Sequence, residues 1–302
     1  MKLTDIEKFK RKINGIILFD YDIKNLNWFN IGGKTKIYFK PESLEELIDF
    51  LKIYKKRGKI FLLGAGSNVL FSDEIFDGVI IKLGKRFNNI SKLNEDTIIA
   101  GGNVLDKKLS EYSKNNEIGG LEFLSCIPGT VGGGIKMNSG CYNREFKDIL
   151  VSVQAVNYTG KIITIPSKEI KFMYRKTNLP NDLIFLSATI KGYKKNSTEI
   201  QDEMVKLKKI KEETQPSKIK TGGSTFKNPV SKTDLKVWEL ISTSIPHEIS
   251  FGDASISKHH SNFFVNKKNA KFNDMLKLIN YVKEQVRLKY KIDLELEVII
   301  IN

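Results

Sequence analysis

Apolar residues recur along this chain with two periods, one typical of helices and one typical of strands. After Ser43, residues Leu44, Leu47, Ile48 and Leu51 keep the three- and four-residue spacing of an amphipathic helix. Similar spacing predicts further helices, and apolar runs of strand length lie between them. The predicted helices include 104–112, 198–213, a segment through 237–241 and 273–290, and the predicted strands are 36–40, 59–63, 78–83, 97–100, 150–158, 161–165, 183–193, 262–266 and 293–301. The pattern therefore predicts a fold of mixed helices and strands.

Turn signals interrupt this pattern at two informative places. Thr159-Gly160 separates the predicted strands 150–158 and 161–165, which predicts a hairpin. Pro216 closely follows the predicted helix 198–213, and a helix has to end before a proline, so a domain boundary is expected nearby. In the last predicted strand, alternation places Glu295 and Glu297 on the face opposite to the apolar residues.

The composition is that of an ordinary globular protein with a basic surface. The 302 residues are 40% hydrophobic and 28% charged, and 50 Lys and Arg against 35 Asp and Glu give a formal charge of +15. Such a charge suits a nucleic-acid-binding protein, but only six of the fifty basic residues are arginines and the lysines are spread over the whole length. A solvated lysine-rich surface without a nucleic-acid partner is favoured. A lysine-rich nucleic-acid-binding protein stays as the non-enzyme alternative.

Location and redox state follow from the first residues and the cysteines. The first twelve residues lack the apolar centre of a signal peptide, and no apolar run reaches the roughly eighteen residues of a membrane span. A cytoplasmic location is expected, with no membrane partner, and no protein partner is implied. Cys126 and Cys141 are expected to be reduced thiols, and no Cys and His spacing suits a metal. His259 and His260, which would face opposite ways on a strand, are interpreted as structural.

A glycine-rich stretch at residues 119–143 is the most distinctive feature of the chain. Its sequence is G-G-L-E-F-L-S-C-I-P-G-T-V-G-G-G-I-K-M-N-S-G-C-Y-N. Glycine allows positive φ and close backbone approach, while Pro128 holds the preceding residue extended. The amides of residues 129–132 are therefore expected to converge on an anion such as a pyrophosphate. Apolar residues such as Phe123 and Ile135 within the stretch favour a ligand cradle over a solvated loop.

A second glycine turn follows the predicted strand 59–63 directly. The sequence G-A-G-S-N-V-L-F-S-D begins at Gly64, and Gly-x-Gly after a strand suggests a dinucleotide fingerprint. The third glycine of that fingerprint would fall at Val69, so a Rossmann site is disfavoured, and no Gly-Lys-Ser/Thr follows to form a P-loop. A tight turn remains, in which backbone amides and the side chains of Ser67 and Asn68 can bind phosphate.

Five motifs occur in an order that indicates a family. They are the turn at 64–73, the glycine-rich 120–142, Tyr174-Arg175, G-S-T-F-K-N-P at 223–229 and L-E-L-E-V at 294–298. With them the chain, from about Asn27 to its end, resembles the UDP-N-acetylenolpyruvoylglucosamine reductase (UDP-N-acetylmuramate dehydrogenase) family. The short segment between Tyr193 and Gly222 resembles the type II branch. The chain departs from the usual family pattern at Cys126, Gly134 and Lys211, where glycine, alanine and arginine are common, and it lacks the usual glycine-rich turn within 242–251.

The resemblance implies a fold, two cofactors and a reaction. The fold is α+β, with a VAO/PCMH-type FAD-binding domain of two α+β subdomains followed by a smaller α+β substrate-binding domain. In this chain these parts would be 1–85, 86–200 and 201–302. The implied enzyme is a flavoprotein oxidoreductase that acts on a C=C bond with FAD and NADPH. It would reduce the enolpyruvyl group of UDP-N-acetylglucosamine enolpyruvyl ether to the lactyl ether of UDP-N-acetylmuramate, a step of peptidoglycan synthesis and so of cell wall biogenesis, cell shape and cell division.

The resemblance also assigns residues to the site. The implied catalytic set is Arg175, Ser224 and Glu297, with Ser224 as the proton donor. The implied substrate contacts are Tyr174, Lys227 and Asn228, and no metal is implied. The residues that fall where the family holds FAD are Gly64, Ala65, Gly66, Ser67, Asn68, Val69, Leu70, Ile127, Pro128, Gly129, Thr130, Val131 and Gly132.

The implied reaction needs residues of these types. Hydride delivered to the terminal methylene of an enolpyruvyl ether leaves negative charge on the neighbouring carbon and its carboxylate. The Arg175 guanidinium can fork onto that carboxylate, the Ser224 hydroxyl can give the carbon a proton, and Glu297 can share a proton with the set. Another FAD oxidoreductase of the same superfamily, such as a hydroxy-acid oxidase, stays as the enzyme alternative. Oxidation of an alcohol, however, needs a base where Ser224 stands.

Overall fold

A computed structural model describes residues 3–54, 58–246 and 248–302. Its α-helices are α1 (Leu3–Lys10), α2 (Leu44–Tyr54), α3 (Asp106–Asn115), α4 (Val131–Met137), α5 (Ser197–Thr214), α6 (Val237–Ser244) and α7 (Phe272–Tyr290). The first ten strands are β1 (Ile16–Asp22), β2 (Lys34–Lys40), β3 (Lys59–Leu62), β4 (Val69–Phe71), β5 (Phe76–Ile81), β6 (Ile90–Lys92), β7 (Thr97–Gly101), β8 (Ile118–Gly119), β9 (Gly140–Cys141) and β10 (Arg144–Glu145). The others are β11 (Leu150–Asn157), β12 (Ile162–Pro166), β13 (Phe172–Met173), β14 (Lys176–Thr177), β15 (Leu183–Lys191), β16 (Tyr193–Lys194), β17 (Thr221–Ser224), β18 (Ser250–Phe251), β19 (Ala254–Ile256), β20 (Phe263–Asn266) and β21 (Ile299–Ile301).

The described chain forms two compact units, each made of three segments. The first unit takes in the described residues of Met1–Phe19, Ile37–Ala65 and Asp77–Ile210. The second takes in those of Asp20–Lys36, Gly66–Phe76 and Lys211–Asn302. The division of the chain into 1–85, 86–200 and 201–302 stays a prediction.

The larger sheet of the first unit has five antiparallel strands in the order β12-β11-β15-β7-β6. Strands β11 and β12 form the hairpin predicted at Thr159-Gly160, with Val153 opposite Ile165. Leu109 of α3 and Ile135 of α4 are fully buried in the core that this sheet shares with the glycine-rich stretch. The apolar residues of that stretch are therefore core residues, and they anchor it to the sheet.

A second sheet, most of whose residues belong to the first unit, has the order β1-β2-β5-β3, with β3 and β5 parallel. Its core includes residues of α1 and α2, and the rings of Phe39 and Phe50 stack at 4.2 Å. The strand-helix-strand unit predicted from the apolar spacing is present as β2-α2-β3. Strand β5 lies between β2 and β3 in the sheet, which the spacing along the chain did not predict.

Two short hairpins of the first unit carry or border predicted site residues. In β9-β10 the pairs are Arg144 with Cys141 and Glu145 with Gly140, and the turn residues Tyr142 and Asn143 both have positive φ. A two-residue loop with positive φ at both positions matches the twist of the flanking strands. The second hairpin is β13-β14, whose loop consists of Tyr174 and Arg175.

The second unit has a four-stranded antiparallel sheet in the order β17-β20-β19-β18. Helices α6 and α7 contribute residues such as Leu240 and Leu278 to its core, both fully buried. Strands β4 and β21 form a separate parallel pair with Leu70 opposite Ile300. The periodicity of apolar residues predicted both helices of this unit correctly.

The strand predicted at 293–301 is wrong in its first two thirds. Only Ile299–Ile301 forms a strand with β4, and Leu296 makes an isolated bridge to Phe226. The backbone of this segment bonds to a different partner, because Lys227 N donates to Glu295 O and Glu297 N donates to Thr225 O, both at 2.9 Å. The alternation of apolar residues continues through the change of partner, so the sequence does not reveal it.

Across the described ranges, no helix has both the length and the apolar character needed to cross a membrane.

Candidate active site

The two predicted flavin turns meet in the first unit. A Cβ atom on Gly64 would lie 2.7 Å from Thr130 Oγ1, so only glycine allows this close approach. Lys82 Nζ donates to Gly64 O at 2.7 Å, and burial lowers the pKa of the Lys82 ammonium, with the Lys40 charge adding to the effect. The start of the 64–70 turn is therefore fixed against the 127–132 turn.

The expectation that four amides of the second turn converge on an anion is wrong for two of them. Val131 N donates to Val104 O and Gly132 N donates to Gly102 O, both at 2.9 Å. These bonds hold the start of α4 against the segment that follows β7. The sequence could not show this, because the acceptors come from a different part of the chain. Of the four amides, those of Gly129 and Thr130 are still predicted to bind a phosphate group.

The turn at Gly129 fits an anionic group. Asp106 is fully buried below it, and neither carboxyl oxygen has a hydrogen-bond partner among the residues that the structure describes. A Cβ on Gly129 would lie 2.6 Å from Asp106 Oδ2. Burial raises the pKa of the Asp106 carboxyl well above its ordinary value. The acid is thus favoured in its uncharged form, which does not repel a diphosphate bound at the turn.

Arg175 lies in the β13-β14 loop with a positive φ of 54°. Its Nη2 donates to Gly140 O at 2.7 Å, and its Nη1 lies 3.9 Å from Glu145 Oε1. The guanidinium also lies over the ring of Tyr174, with Cζ 4.9 Å from the ring centroid. These contacts hold a mostly buried cation in one orientation.

The rest of the 64–70 turn lies in the second unit. Gly66 has a φ of 69°, and its carbonyl accepts a 3.0 Å hydrogen bond from Trp28 N. Asn68 Nδ2 donates to the backbone carbonyl of Glu297 at 3.0 Å. The structure thus joins this turn to the segment that carries one predicted catalytic residue.

Ser224 and Glu297 are placed near each other through Thr225. Ser224 is the last residue of β17 and pairs with Phe263, and its side chain is half-buried. Thr225 O, one residue further on, accepts hydrogen bonds from Glu297 N at 2.9 Å and from Val298 N at 3.4 Å. The two predicted catalytic residues of the second unit therefore come from adjoining, hydrogen-bonded segments.

The predicted substrate residues of the second unit continue along the same segment. Lys227 Nζ lies 3.5 Å from Glu295 Oε2, and Asn228 Oδ1 accepts a 3.0 Å hydrogen bond from Val237 N at the start of α6. Asn228 thus has a helix-capping contact in addition to its predicted role. The roles of all these side chains toward a substrate stay predictions.

A cavity of about 580 Å³ lies in the second unit. Trp238, Lys258 and His260 are among its lining residues, and the Trp238 side chain is 45% exposed. Burial lowers the pKa of the His260 imidazole below its usual range; a backbone hydrogen bond partly opposes this shift, and the His259 charge adds to it. The cavity offers an aromatic face, an imidazole and an ammonium group.

The interpretation of the histidine pair as structural considered the two residues as they would face on a strand. His259 and His260 lie in a turn between β19 and β20 and not on a strand, and His260 Nδ1 accepts a hydrogen bond from Asn262 N at 3.2 Å. Both line the cavity, which the sequence did not indicate. Among the residues described, no group of three or more His, Cys, Asp or Glu side chains is arranged to hold a metal ion.

Sequence reasoning missed two asparagines that shape the site. Asn262 bonds both backbone groups of Phe226, donating to its carbonyl at 2.9 Å and accepting from its amide at 3.0 Å. Asn138, with a φ of 42°, ends α4 and donates to Glu145 Oε2 and to Met173 O. Asparagine tolerates left-handed φ, so an asparagine just after the glycine-rich helix was the available signal for the second.

Two protein-family models that match the sequence identify the class of protein to which this chain belongs. A family model described as an FAD binding domain matches residues 35–166, which include both glycine turns. A second, described as the C-terminal domain of UDP-N-acetylenolpyruvoylglucosamine reductase, matches residues 215–301. The chain is an FAD-dependent oxidoreductase, and the predicted α+β fold of VAO/PCMH type is confirmed.

The relatives then define the family. The chain is 59% identical over its full 302 residues to UDP-N-acetylenolpyruvoylglucosamine reductase of Pelagibacter ubique (strain HTCC1062), which it covers completely. It is 43% identical over 267 residues to the enzyme of that name from Rickettsia bellii (strain RML369-C), covering 88% of this chain and 87% of the relative. A crystal structure of UDP-N-acetylenolpyruvylglucosamine reductase from Thermus caldophilus matches with a TM-score of 0.82 at 28% identity, covering 96% of this chain and all of that one. The chain belongs to the UDP-N-acetylenolpyruvoylglucosamine reductase family, as predicted.

Proposed function

We propose that this protein reduces the enolpyruvyl group of UDP-N-acetylglucosamine enolpyruvyl ether to the lactyl ether of UDP-N-acetylmuramate, in peptidoglycan precursor synthesis. FAD is its cofactor and NADPH its reductant. The observation that carries the proposal is the 59% identity with a reductase of this name over the complete length of both chains. The predicted cytoplasmic location is part of the proposal.

Residues of both glycine turns would hold the FAD. They are Gly64–Leu70 and Ile127–Gly132, with the amides of Gly129 and Thr130 as the donors to its diphosphate. The buried Asp106 carboxyl below Gly129 supports this assignment, because burial raises its pKa and so disfavours the negative charge that would oppose the anion. When bound, FAD would supply a hydride, received from NADPH, to the terminal methylene carbon of the enolpyruvyl group.

Arg175 is proposed to bind the carboxylate of the enolpyruvyl group. Negative charge grows on this carboxylate as the neighbouring carbon gains electron density, so a fixed guanidinium stabilises the transition state more than the ground state. Its contact with Gly140 O supports this role, because a cation that is already oriented does not have to be reorganised during the reaction. Tyr174 lies against the same guanidinium and is proposed to contact the substrate.

Ser224 is proposed to give the proton that completes the reduction. A hydroxyl carries no charge that would compete with Arg175 for the carboxylate. Glu297, held beside the Ser224 segment through Thr225, is proposed to share a proton with this set. The hydroxy-acid oxidase alternative is not favoured, because the family assignment specifies a reductase and no base stands at position 224.

The UDP moiety is proposed to occupy the cavity of the second unit, together with Lys227 and Asn228. Trp238 presents an apolar ring face on which a uracil can stack, and the Lys258 ammonium suits a diphosphate. Trp238 and Lys258 thus suit the uracil and the diphosphate of a nucleotide sugar.

The Ser224→Ala variant tests the proton-donor role. The wild type should convert the enolpyruvyl ether and NADPH to UDP-N-acetylmuramate, detected by mass, and the variant should do so at least about 100-fold more slowly. Flavin reduction by NADPH should proceed equally in both. Equal product formation by wild type and variant would exclude Ser224 as the donor.

A further inference from the structure

We infer that Glu145 is a positioning residue, which fixes the Arg175 guanidinium in the orientation that the reaction needs. The inference rests on the proposed function, in which Arg175 binds the substrate carboxylate. Glu145 belongs to none of the motifs that assign catalytic roles in this chain. It is singled out by its contacts in the first unit.

Two oxygen atoms beside the Arg175 guanidinium come from one cross-strand pair. Gly140 and Glu145 lie opposite each other in the β9-β10 hairpin. Gly140 O accepts from Arg175 Nη2 at 2.7 Å, and Glu145 Oε1 lies 3.9 Å from Nη1. The hairpin therefore presents a carbonyl and a carboxylate side by side to the two terminal nitrogens of the guanidinium.

Gly140 has to be glycine for this arrangement to form. A Cβ atom at position 140 would lie 2.1 Å from Arg144 O and 2.8 Å from Glu145 Cγ. No side chain fits there, so the Glu145 side chain closes over the backbone of residue 140. The glycine thus serves the approach of the carboxylate to Arg175 as well as the hairpin itself.

The Glu145 carboxylate is itself held by neighbours. Its Oε2 accepts from Asn138 Nδ2 at 3.0 Å and from Lys147 Nζ at 2.7 Å. The Glu145 side chain is 18% exposed and that of Arg175 is 17% exposed, so the pair is only weakly screened by water. These two donors on one oxygen restrict the movement of the carboxylate away from Arg175.

Asn138 connects the two hairpins that meet at Arg175. Its Nδ2 also donates at 3.1 Å to Met173 O, directly before the Tyr174-Arg175 loop. Its Oδ1 accepts from Lys147 N at 3.0 Å. One buried side chain therefore sets the distance between the hairpin that carries Glu145 and the hairpin that carries Arg175.

Such support matters because arginine is long and flexible. A free arginine side chain loses rotamer entropy when it is fixed. Displacement of a catalytic group by about 1 Å can slow a reaction about 100-fold. We therefore expect the loss of Glu145 to act on the step in which Arg175 takes part and on no other.

The experiment compares both half-reactions by anaerobic stopped-flow spectroscopy of the flavin. In Glu145→Ala, the reoxidation of NADPH-reduced enzyme by UDP-N-acetylglucosamine enolpyruvyl ether should slow about 100-fold, while flavin reduction by NADPH stays within about twofold of the wild type. Glu145→Gln keeps a neutral acceptor, and its reoxidation should slow about tenfold. Glu203→Gln, which alters a glutamate paired with Lys195, is the matched control and should match the wild type.

A double-mutant cycle separates positioning from general destabilisation. In an Arg175→Lys background, Glu145→Ala should slow reoxidation by less than about twofold more, because the group on which it acts is gone. The inference would be overturned if Glu145→Ala slowed reoxidation equally in both backgrounds, or if it slowed flavin reduction and flavin reoxidation equally. It would also be overturned if the Glu145→Ala enzyme were reoxidised at the wild-type rate. If instead the wild type is not reoxidised by this substrate, the proposed function fails, which is a distinct result.

Discussion

The side-chain amide of Asn68 donates a 3.0 Å hydrogen bond to the backbone carbonyl of Glu297, although 229 positions separate the two residues in the sequence. Ile299 N donates back to Asn68 O at 3.0 Å, and the parallel pair β4-β21 begins at this point. The turn proposed to hold flavin and the segment proposed to carry the catalytic carboxylate are thus one hydrogen-bonded structure. A change in either is expected to disturb the other.

Asn68→Asp should loosen this structure. The variant loses the donor and places a carboxylate against the Glu297 carbonyl, which should lower the free energy of unfolding by about 1–3 kcal/mol. Urea unfolding and retention of FAD on gel filtration measure the two consequences. Asn88→Asp at an exposed position is the control and should keep wild-type stability. Unchanged stability and FAD retention in Asn68→Asp would show that the bond is unimportant.

Gly134 and Gly133 should respond oppositely to alanine. A Cβ on Gly134 would lie 2.1 Å from Cε2 of the fully buried Phe146 ring, so Gly134→Ala should cost about 1–3 kcal/mol of stability through overpacking. At the exposed Gly133 the nearest contact would be Thr130 Oγ1 at 3.4 Å, and alanine should stabilise α4 by up to about 1 kcal/mol. Thermal unfolding of both variants measures the two changes in stability. The same sign of change in both would contradict this packing.

Asp106 should make stability depend on pH in a known direction. Because its folded-state pKa is raised, the unfolded chain releases this proton first, and the free energy of unfolding falls as the pH rises above about 4 toward the folded-state pKa. Asp106→Asn removes that loss. The variant should therefore be close to the wild type near pH 4 and increasingly more stable toward pH 7. Asp202→Asn on exposed α5 should show no such trend, and a constant difference for Asp106→Asn would refute the assignment.

Trp238→Ala should weaken substrate binding more than it slows the reaction. Loss of stacking on a base costs about 1–3 kcal/mol, so the KM for the enolpyruvyl ether should rise about tenfold or more with little change in kcat. Steady-state kinetics with saturating NADPH measure both. Leu288→Ala, an exposed apolar residue of α7 outside the cavity lining, is the control. A fall in kcat with constant KM would place the UDP moiety elsewhere.

The sequence predicted those features that depend on neighbouring residues. The spacing of Leu44, Leu47 and Leu51 predicted α2, and Thr159-Gly160 predicted the β11-β12 hairpin, because helices and hairpins form from local contacts. The family motifs predicted the FAD-binding fold and the reductase family. Both kinds of signal lie within short segments of the chain.

Features that depend on distant segments were predicted poorly. The amides of Val131 and Gly132 are bonded to carbonyls near residue 103, and the segment before β21 changes its hydrogen-bond partner at Val298. Glu145 and Asn138 lie near Arg175 only because two hairpins pack together in the folded chain. No period of apolar residues encodes these contacts, since they depend on tertiary structure.

This flavoprotein is proposed to give its reducing equivalents to an enolpyruvyl nucleotide sugar. The most direct measurement reduces the enzyme with NADPH under anaerobic conditions, adds UDP-N-acetylglucosamine enolpyruvyl ether, and follows the flavin absorbance. We expect rapid return of the oxidised flavin spectrum with stoichiometric formation of UDP-N-acetylmuramate, and much slower return in Arg175→Lys. Flavin that stays reduced in the wild type until oxygen is admitted would contradict it.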